Sequence, residues 1–303
     1  MAILTVDNIS KTYGHIRALN KVSFSVPKGT VFGILGPNGS GKTTLLGIIM
    51  DVLKATEGEY SWNGEKGSNQ QRKKIGTLLE TPNFYSYLSA ESNLKIAAEI
   101  KGHGLEDIPK VLQIVNLYQR RNSKFNTYSL GMKQRLAIAS SLLGDPDVLV
   151  FDEPTNGLDP AGIAEIRDLI QELNRNGKTI IMASHILDEV EKVCTHVAII
   201  QKGDLKMVGS VGEVLSGSSV KSKTIEAASN DLAVLENVLR QMKGILNVSI
   251  SENRLFLTCE ENVSAEQVNK YCFEKGIILN RLSLKTKSLE TRFLEITGNQ
   301  SDR

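Results

Sequence analysis

Two short segments of the 303-residue sequence carry residue types and spacings suited to handling a polyphosphate. The first runs Gly36, Pro37, Asn38, Gly39, Ser40, Gly41, Lys42, Thr43, Thr44, in which Gly36, Gly41, Lys42 and Thr43 satisfy GxxxxGK[ST]. Its glycines let backbone N–H groups turn inward around a phosphate chain, and a following helix presents the positive end of its dipole. Lys42 is placed to reach the β and γ phosphates, and Thr43 to offer a hydroxyl to Mg²⁺. An accidental glycine-rich turn is the alternative. The flanks oppose it, because the apolar run Val31–Leu35 comes before and Leu45, Leu46, Ile48 and Ile49 follow at helical spacing. The second segment is a buried strand pattern, residues 148–151, that ends in Asp152 and Glu153. Asp152 suits Mg²⁺ held through its water shell, and Glu153 suits aligning or deprotonating an attacking water. Such a pair alone is more often a solvated turn. Beside a phosphate loop, the two segments read as a nucleoside triphosphatase.

A third segment, YSLGMKQRL over residues 128–136, opens an amphipathic helix running to about Leu143, with Ser129 as N-cap and Gly131 in the first turn. It resembles the signature motif of the ATP-binding cassette (ABC) ATPases. The family's LSGGQ stands here as Tyr128, Ser129, Leu130, Gly131 and Met132, so Leu130 and Met132 replace the first glycine and the glutamine. Further matches follow in the family's order: Tyr13 where an aromatic stacks on adenine, residues 156–159 as the D-loop ending in Asp159, and His185 after the strand pattern 179–183. From the residues alone, Tyr13 also reads as a strand aromatic and His185 as a helix cap.

The resemblance covers about residues 3–215. It implies ATP and Mg²⁺ as cofactors, with Glu153 and His185 catalytic. Nucleotide contacts are implied for Tyr13, the loop from Gly36 to Thr44, Ser129, Gly131 and Asp159, and metal contacts for Thr43, Glu80 and Asp152. It also implies a second copy or a paralogous ATPase subunit, whose Ser129 and Gly131 would close over the γ-phosphate at Lys42. Glu80 stands where the family usually has glutamine, and this departure, with the YSLGM-type signature, resembles the exporters of bacitracin-like and lantibiotic peptides. A carboxylate there adds negative charge beside Asp152 and Glu153 and should hold the cation more strongly.

These residues need a scaffold that delivers them to one edge. Helical and strand patterns alternate through the first 215 residues, which indicates an α/β layer fold with a buried, largely parallel sheet. The resemblance narrows this to a P-loop NTPase of the ABC type as the expected fold class, domain 1–215, with a helical subdomain at about 86–145. Ser216 and the Gly-Ser-Ser that follows read as a linker. Domain 220–303 then carries strands 224–228, 245–250, 254–259 and 277–284, helices 231–242 and 264–275, and a last helix 288–297. That order, βαββαβ, is the α+β ferredoxin-like pattern. It holds no catalytic, metal or phosphate motif, so a regulatory or docking role is indicated.

Charge and cysteine content bound the partners. Thirty-six Lys and Arg against 34 Asp and Glu leave +2, too weak a field to indicate a nucleic-acid partner. Cys194, Cys259 and Cys272 form no CxxC pair, which fits a reducing cytoplasm, and the N-terminus carries no export signal. Apolar runs such as 148–151 and 197–200 fall far below the ~18 residues that span a bilayer. Service to a membrane must pass through integral permease subunits, with this chain peripheral on the cytoplasmic face. Phe84, Tyr85 and Tyr87 read equally as part of a groove for such a partner and as packing inside the helical subdomain. A ribosome-associated ABC factor would carry two cassettes in one chain, whereas one GxxxxGK[ST] is present. A chromosome-organising ATPase would need a long coiled coil, and no sustained heptad lies between Lys42 and Asp152.

Overall fold

The structure, a computed structural model, describes the chain except residues 80–82, 217–221, 252–253, 261, 286–287 and 298–303. Two compact units result, Met1–Val211 with Ile296–Arg303, and Gly212–Glu295. The first contains β1 (Ala2–Tyr13), β2 (Ile16–Pro27), β3 (Val31–Leu35), α1 (Lys42–Ile49), β4 (Glu57–Trp62), β5 (Glu65–Lys66), α2 (Asn69–Arg72) and β6 (Ile75–Leu78). Helices α3 (Ala90–Lys101), α4 (Ile108–Ile114) and α5 (Leu130–Leu142) follow. Then come β7 (Val148–Asp152), α6 (Pro160–Arg175), β8 (Thr179–Ser184), α7 (Leu187–Val193), β9 (His196–Gln201) and β10 (Asp204–Ser210), and α8 (Val211–Ser216) starts at the boundary and belongs otherwise to the second unit.

The six-stranded sheet has the order β10-β9-β3-β8-β7-β6 and is parallel except at β10. Every residue of β3, β7 and β8 is buried, as unbroken apolar runs covered on both faces should be. A second sheet, β2-β1-β4-β5, is antiparallel and was not legible as a separate layer. Its long strands lose strict alternation at Asn8 (φ 50°) and Lys21 (φ 47°), where the β1–β2 register slips between Val6 and Ile9 and again between Ile9 and Lys11. Helix α1 packs against β2 on one side and β7 and β8 on the other, which explains why it buries residues all around. One apolar cluster joins both sheets through it, including Val22, Phe24, Phe32, Leu45 and Leu46, and the Phe24 and Phe32 rings stack at 5.3 Å.

The second unit holds β11 (Ser222–Ser229), α9 (Leu232–Leu239), β12 (Ile245–Ser251), β13 (Arg254–Glu260), α10 (Ala265–Glu274) and β14 (Leu279–Lys285). Helix α11 (Leu289–Thr297) follows. Its sheet runs β12-β13-β11-β14, antiparallel throughout, over a core that includes Leu235, Leu257, Val268 and Cys272. At two boundaries a turn glycine shortens the element relative to the sequence reading. Helix α9 stops at Leu239, ahead of a turn completed by Gly244 at φ 89°. Strand β14 begins at Leu279 because Gly276 (φ 77°) closes α10 and the Ile277 N–H turns back to the Cys272 carbonyl at 2.9 Å. Most of the linker, with Gly217 to Ser219, lies outside the described residues.

Candidate active site

Strands β3, β8 and β7 are neighbours, so their C-terminal ends bring the phosphate loop, His185 and the two carboxylates to one edge. The loop between β3 and α1 needs its glycines for separate reasons. A Cβ on Gly36 would stand 2.2 Å from the Ile200 carbonyl oxygen, and Gly39 and Gly41 sit at φ 78° and 108°. Gly41 is also the N-cap of α1, and no side chain bonds to the first-turn N–H groups. The loop is braced from behind by the Gly203 N–H, which donates to the Ser40 carbonyl at 3.0 Å. Pro37, Asn38, Gly39 and Thr43 face solvent, Thr44 is half-buried and Lys42 is buried. The hydroxyl of Ser40 is buried without a hydrogen-bond partner.

Lys42 Nζ donates to the Gly36 and Pro37 carbonyls at 2.8 and 3.3 Å and lies 3.4 Å from Glu153 Oε1. The other carboxylate oxygen of Glu153 is 2.8 Å from His185 Nδ1. Glu153 reaches both because its backbone turns left-handed at φ 48° directly after β7, with its N–H held by the Ala183 carbonyl at 3.0 Å. Asp152 ends β7 opposite Ala183 and is 4% exposed. Glu153, His185, Lys42 and Asp152 thus come from three adjacent strands and share one edge.

Other sequence candidates lie apart from this cluster. Ser129 and Gly131 occupy the exposed to half-buried start of α5, and Ser129 Oγ accepts from the Met132 N–H at 3.3 Å. Among the described residues, no hydrogen bond or ion pair joins them to Lys42 or Glu153. A Cβ on Gly131 would meet nothing within 4 Å, while the Leu130 side chain packs toward Gly157 of the following loop. Asp159 uses a carboxylate oxygen to cap α6, accepting from the Gly162 N–H at 2.9 Å. Tyr13 ends β1 half-exposed, with Lys11 Nζ 4.9 Å from its ring centroid. Glu80 lies outside the described residues.

Sequence reasoning missed the Gly203 turn and the buried Asn93. The Asn93 side chain accepts from the Tyr85 N–H at 2.8 Å and donates to the Tyr85 carbonyl at 3.1 Å, fixing the aromatic segment. An amide on the apolar face of α3, between Ala90 and Leu94, was the available signal.

The donor set fits a nucleoside triphosphate with Mg²⁺. Uncapped N–H groups, an orphaned Ser40 hydroxyl and a lysine resting on carbonyl and carboxylate oxygens suit phosphate oxygens. The Thr43 hydroxyl and the Asp152 carboxylate are hard oxygen groups of the kind that Mg²⁺ would take from protein beside substrate phosphates. A phosphate loop on a buried parallel sheet, with carboxylates at the end of a nearby strand, defines a P-loop ATPase. The family model described as ABC transporter matches residues 19–156. The bacitracin transport ATP-binding protein BcrA of Bacillus licheniformis is 34% identical over 98% of this chain and 97% of its own. The lantibiotic transport ATP-binding protein SrtF of Streptococcus pyogenes is 39% identical over 67% of this chain and 89% of its own. A dimeric post-hydrolysis structure of the ATP-binding cassette MJ0796, bound to ADP and Pi, is 28% identical with TM-score 0.61, covering 69% of this chain and 98% of that one. The chain belongs to the ABC transporter family as an ATP-binding, ATP-hydrolysing subunit.

Proposed function

We propose that this ATPase energises a separately encoded membrane permease, in the export direction, for peptide antibiotics of the bacitracin or lantibiotic kind. It acts from the cytoplasmic face, paired with a second copy of itself or a paralogous ATPase subunit. One observation carries the reading: Glu153 is held between Lys42 and His185, while Ser129 and Gly131 lie free of that cluster. A site that needs both sets is completed by the opposite copy. The absence of a membrane-spanning helix among the described residues leaves contact with the bilayer to the permease.

Within the site, Lys42 exchanges the Gly36 and Pro37 carbonyls and Glu153 for phosphate oxygens. That exchange releases Glu153 to accept a proton from the attacking water, and His185 Nδ1 keeps its carboxylate aimed. Thr43, Glu80 and, through the ion's water shell, Asp152 would hold Mg²⁺, which when bound would supply neutralisation of the phosphate charge. Tyr13 stacks on the base, and Asp159 fixes the start of α6 beside the D-loop. The second unit is read as a ferredoxin-like regulatory or docking domain, on the strength of its βαββαβ order and its sheet order.

Phe84, Tyr85, Ile96 and Ile100 line a cavity of about 640 Å³ that also touches β6 and α5, and we assign it to the permease. Tyr85 and Ile100 are 51% and 80% exposed, a degree of apolar exposure that marks an interaction surface. Co-purification of the tagged Glu153→Gln chain from solubilised membranes with ATP and Mg²⁺ tests this reading. Recovery of an integral membrane protein in equal amount is expected, and recovery of the chain alone would contradict it.

A further inference from the structure

Lys101 ends α3 half-buried, its ammonium turned onto the end of α5 with no ion-pair partner among the described residues. Its Nζ donates to the Ser140 carbonyl at 2.7 Å and lies 3.4 Å from the carbonyls of Ser141 and Leu143. These carbonyls belong to the last turn and C-cap of α5, where the Ser140 carbonyl otherwise accepts only a long 3.4 Å bond from the Leu143 N–H, so the lysine caps α5 from a neighbouring helix and complements the negative end of its dipole. Burial alone lowers its pKa to about 8. An ammonium kept in so unfavourable a place is a specific contact, since an apolar side chain would fill the space without that penalty.

The two helices joined in this way have separate tasks. Helix α3 contributes Asn93, Ile96, Ala97 and Ile100 to the cavity assigned to the permease, and α5 contributes Ala137 and Ser140. Ser140 is also the residue whose carbonyl takes the shortest bond from Lys101. At its far end, ~15 Å from Ser140 at the usual helical rise, α5 starts from its N-cap Ser129 with Gly131 in the first turn.

We propose that Lys101 is a positioning residue that locks α3 to α5, so that displacement of the cavity wall by a seated partner reaches Ser129 and Gly131 as one rigid-body movement. The inference rests on the reading of α5 as the arm that closes on ATP in the opposite copy. It adds the specific contact through which the cavity and that arm communicate.

Amide exchange and ATP turnover of the full chain test it, comparing wild type with Lys101→Met and Lys101→Arg. The amides of Met132 and Lys133 report the far end, because they donate to Ser129 Oγ at 3.3 Å and to the Ser129 carbonyl at 2.9 Å. In Lys101→Met they should exchange at least about fivefold faster. Its kcat should fall about tenfold with KM for ATP unchanged, because the Lys42 loop is untouched. Lys101→Arg, which can reach the same carbonyls, should restore both. Lys101→Gln replaces the methionine variant if that chain does not fold. Faster exchange confined to residues 140–143 would overturn the proposal and leave Lys101 a local cap. Gly131→Asp separates the two levels: retained turnover there defeats the reading of α5 itself. Lost turnover in Gly131→Asp beside unchanged exchange in Lys101→Met defeats only the coupling.

Discussion

Glu153 pays for its position with a backbone conformation that costs on the order of 1–3 kcal/mol for a residue with a Cβ. The left-handed turn after β7 aims both of its oxygens, one at Lys42 and one at His185. Glu153→Gln keeps the shape and removes the base, so ATP hydrolysis should fall by roughly 10²–10⁴ while ATP affinity is retained. Steady-state turnover alongside equilibrium nucleotide binding checks this, and a loss under about tenfold would remove Glu153 from the chemistry. Lys42→Ala acts on binding instead. Charge-assisted hydrogen bonds contribute roughly 1.5–3 kcal/mol, so ATP affinity should weaken by about 10–100-fold in a titration, and unchanged affinity would contradict the assignment. Both residues were legible because residue type and spacing are enough to declare a phosphate loop and a strand-end carboxylate. The left-handed turn at Glu153, the orphaned Ser40 hydroxyl and the Gly203 brace were not. Each depends on which strand lies beside which, and local sequence does not encode that.

At the scale of elements, continuous apolar runs made β3, β7 and β8 readable, and Ser129 announced α5 by its capping chemistry. The antiparallel sheet escaped because its register slips interrupt period-two alternation over β1 and β2. The α3–α5 contact escaped as well, since a lysine at a helix end reads as a solvated residue until its neighbour is known. That lysine has a thermodynamic signature. Burial lowers Lys101 from the usual 10.5 to about 8, so between those values the unfolded chain holds more protons than the folded one and stability rises with pH. Below about 8 both states are protonated and the cost of burying the charge is present in full. Urea unfolding at about pH 7.5 and about pH 10 should show wild type gaining on Lys101→Met by up to ~2 kcal/mol. A difference between the two chains that does not change with pH would mean that the ammonium is not desolvated in the folded protein.

Across the whole molecule, the nucleotide-site candidates among the described residues fall in the unit Met1–Val211, and the unit Gly212–Glu295 has a core of its own. A fragment of residues 1–215 should therefore bind ATP with the affinity of the full chain, and a folded fragment that fails to bind would show that the second unit contributes to the site. The βαββαβ order of that unit was visible in its alternating patterns, whereas the ends of α9 and β14 were shifted by turn glycines whose conformation only the fold reveals. If the pair is formed by two copies of this chain, each ATP lies between Lys42 and Glu153 of one and Ser129 and Gly131 of the other. Mixing two defective chains measures this directly. Lys42→Ala disables the loop, and Gly131→Asp sets a carboxylate against the closing phosphate at a position with open space in its own chain. Each alone should be inactive. In a mixed dimer one site carries both defects and the other carries neither, so equal amounts should recover about a quarter of wild-type ATP turnover if pairing is random. A mixture no more active than either variant alone would contradict a site shared between two copies of this chain.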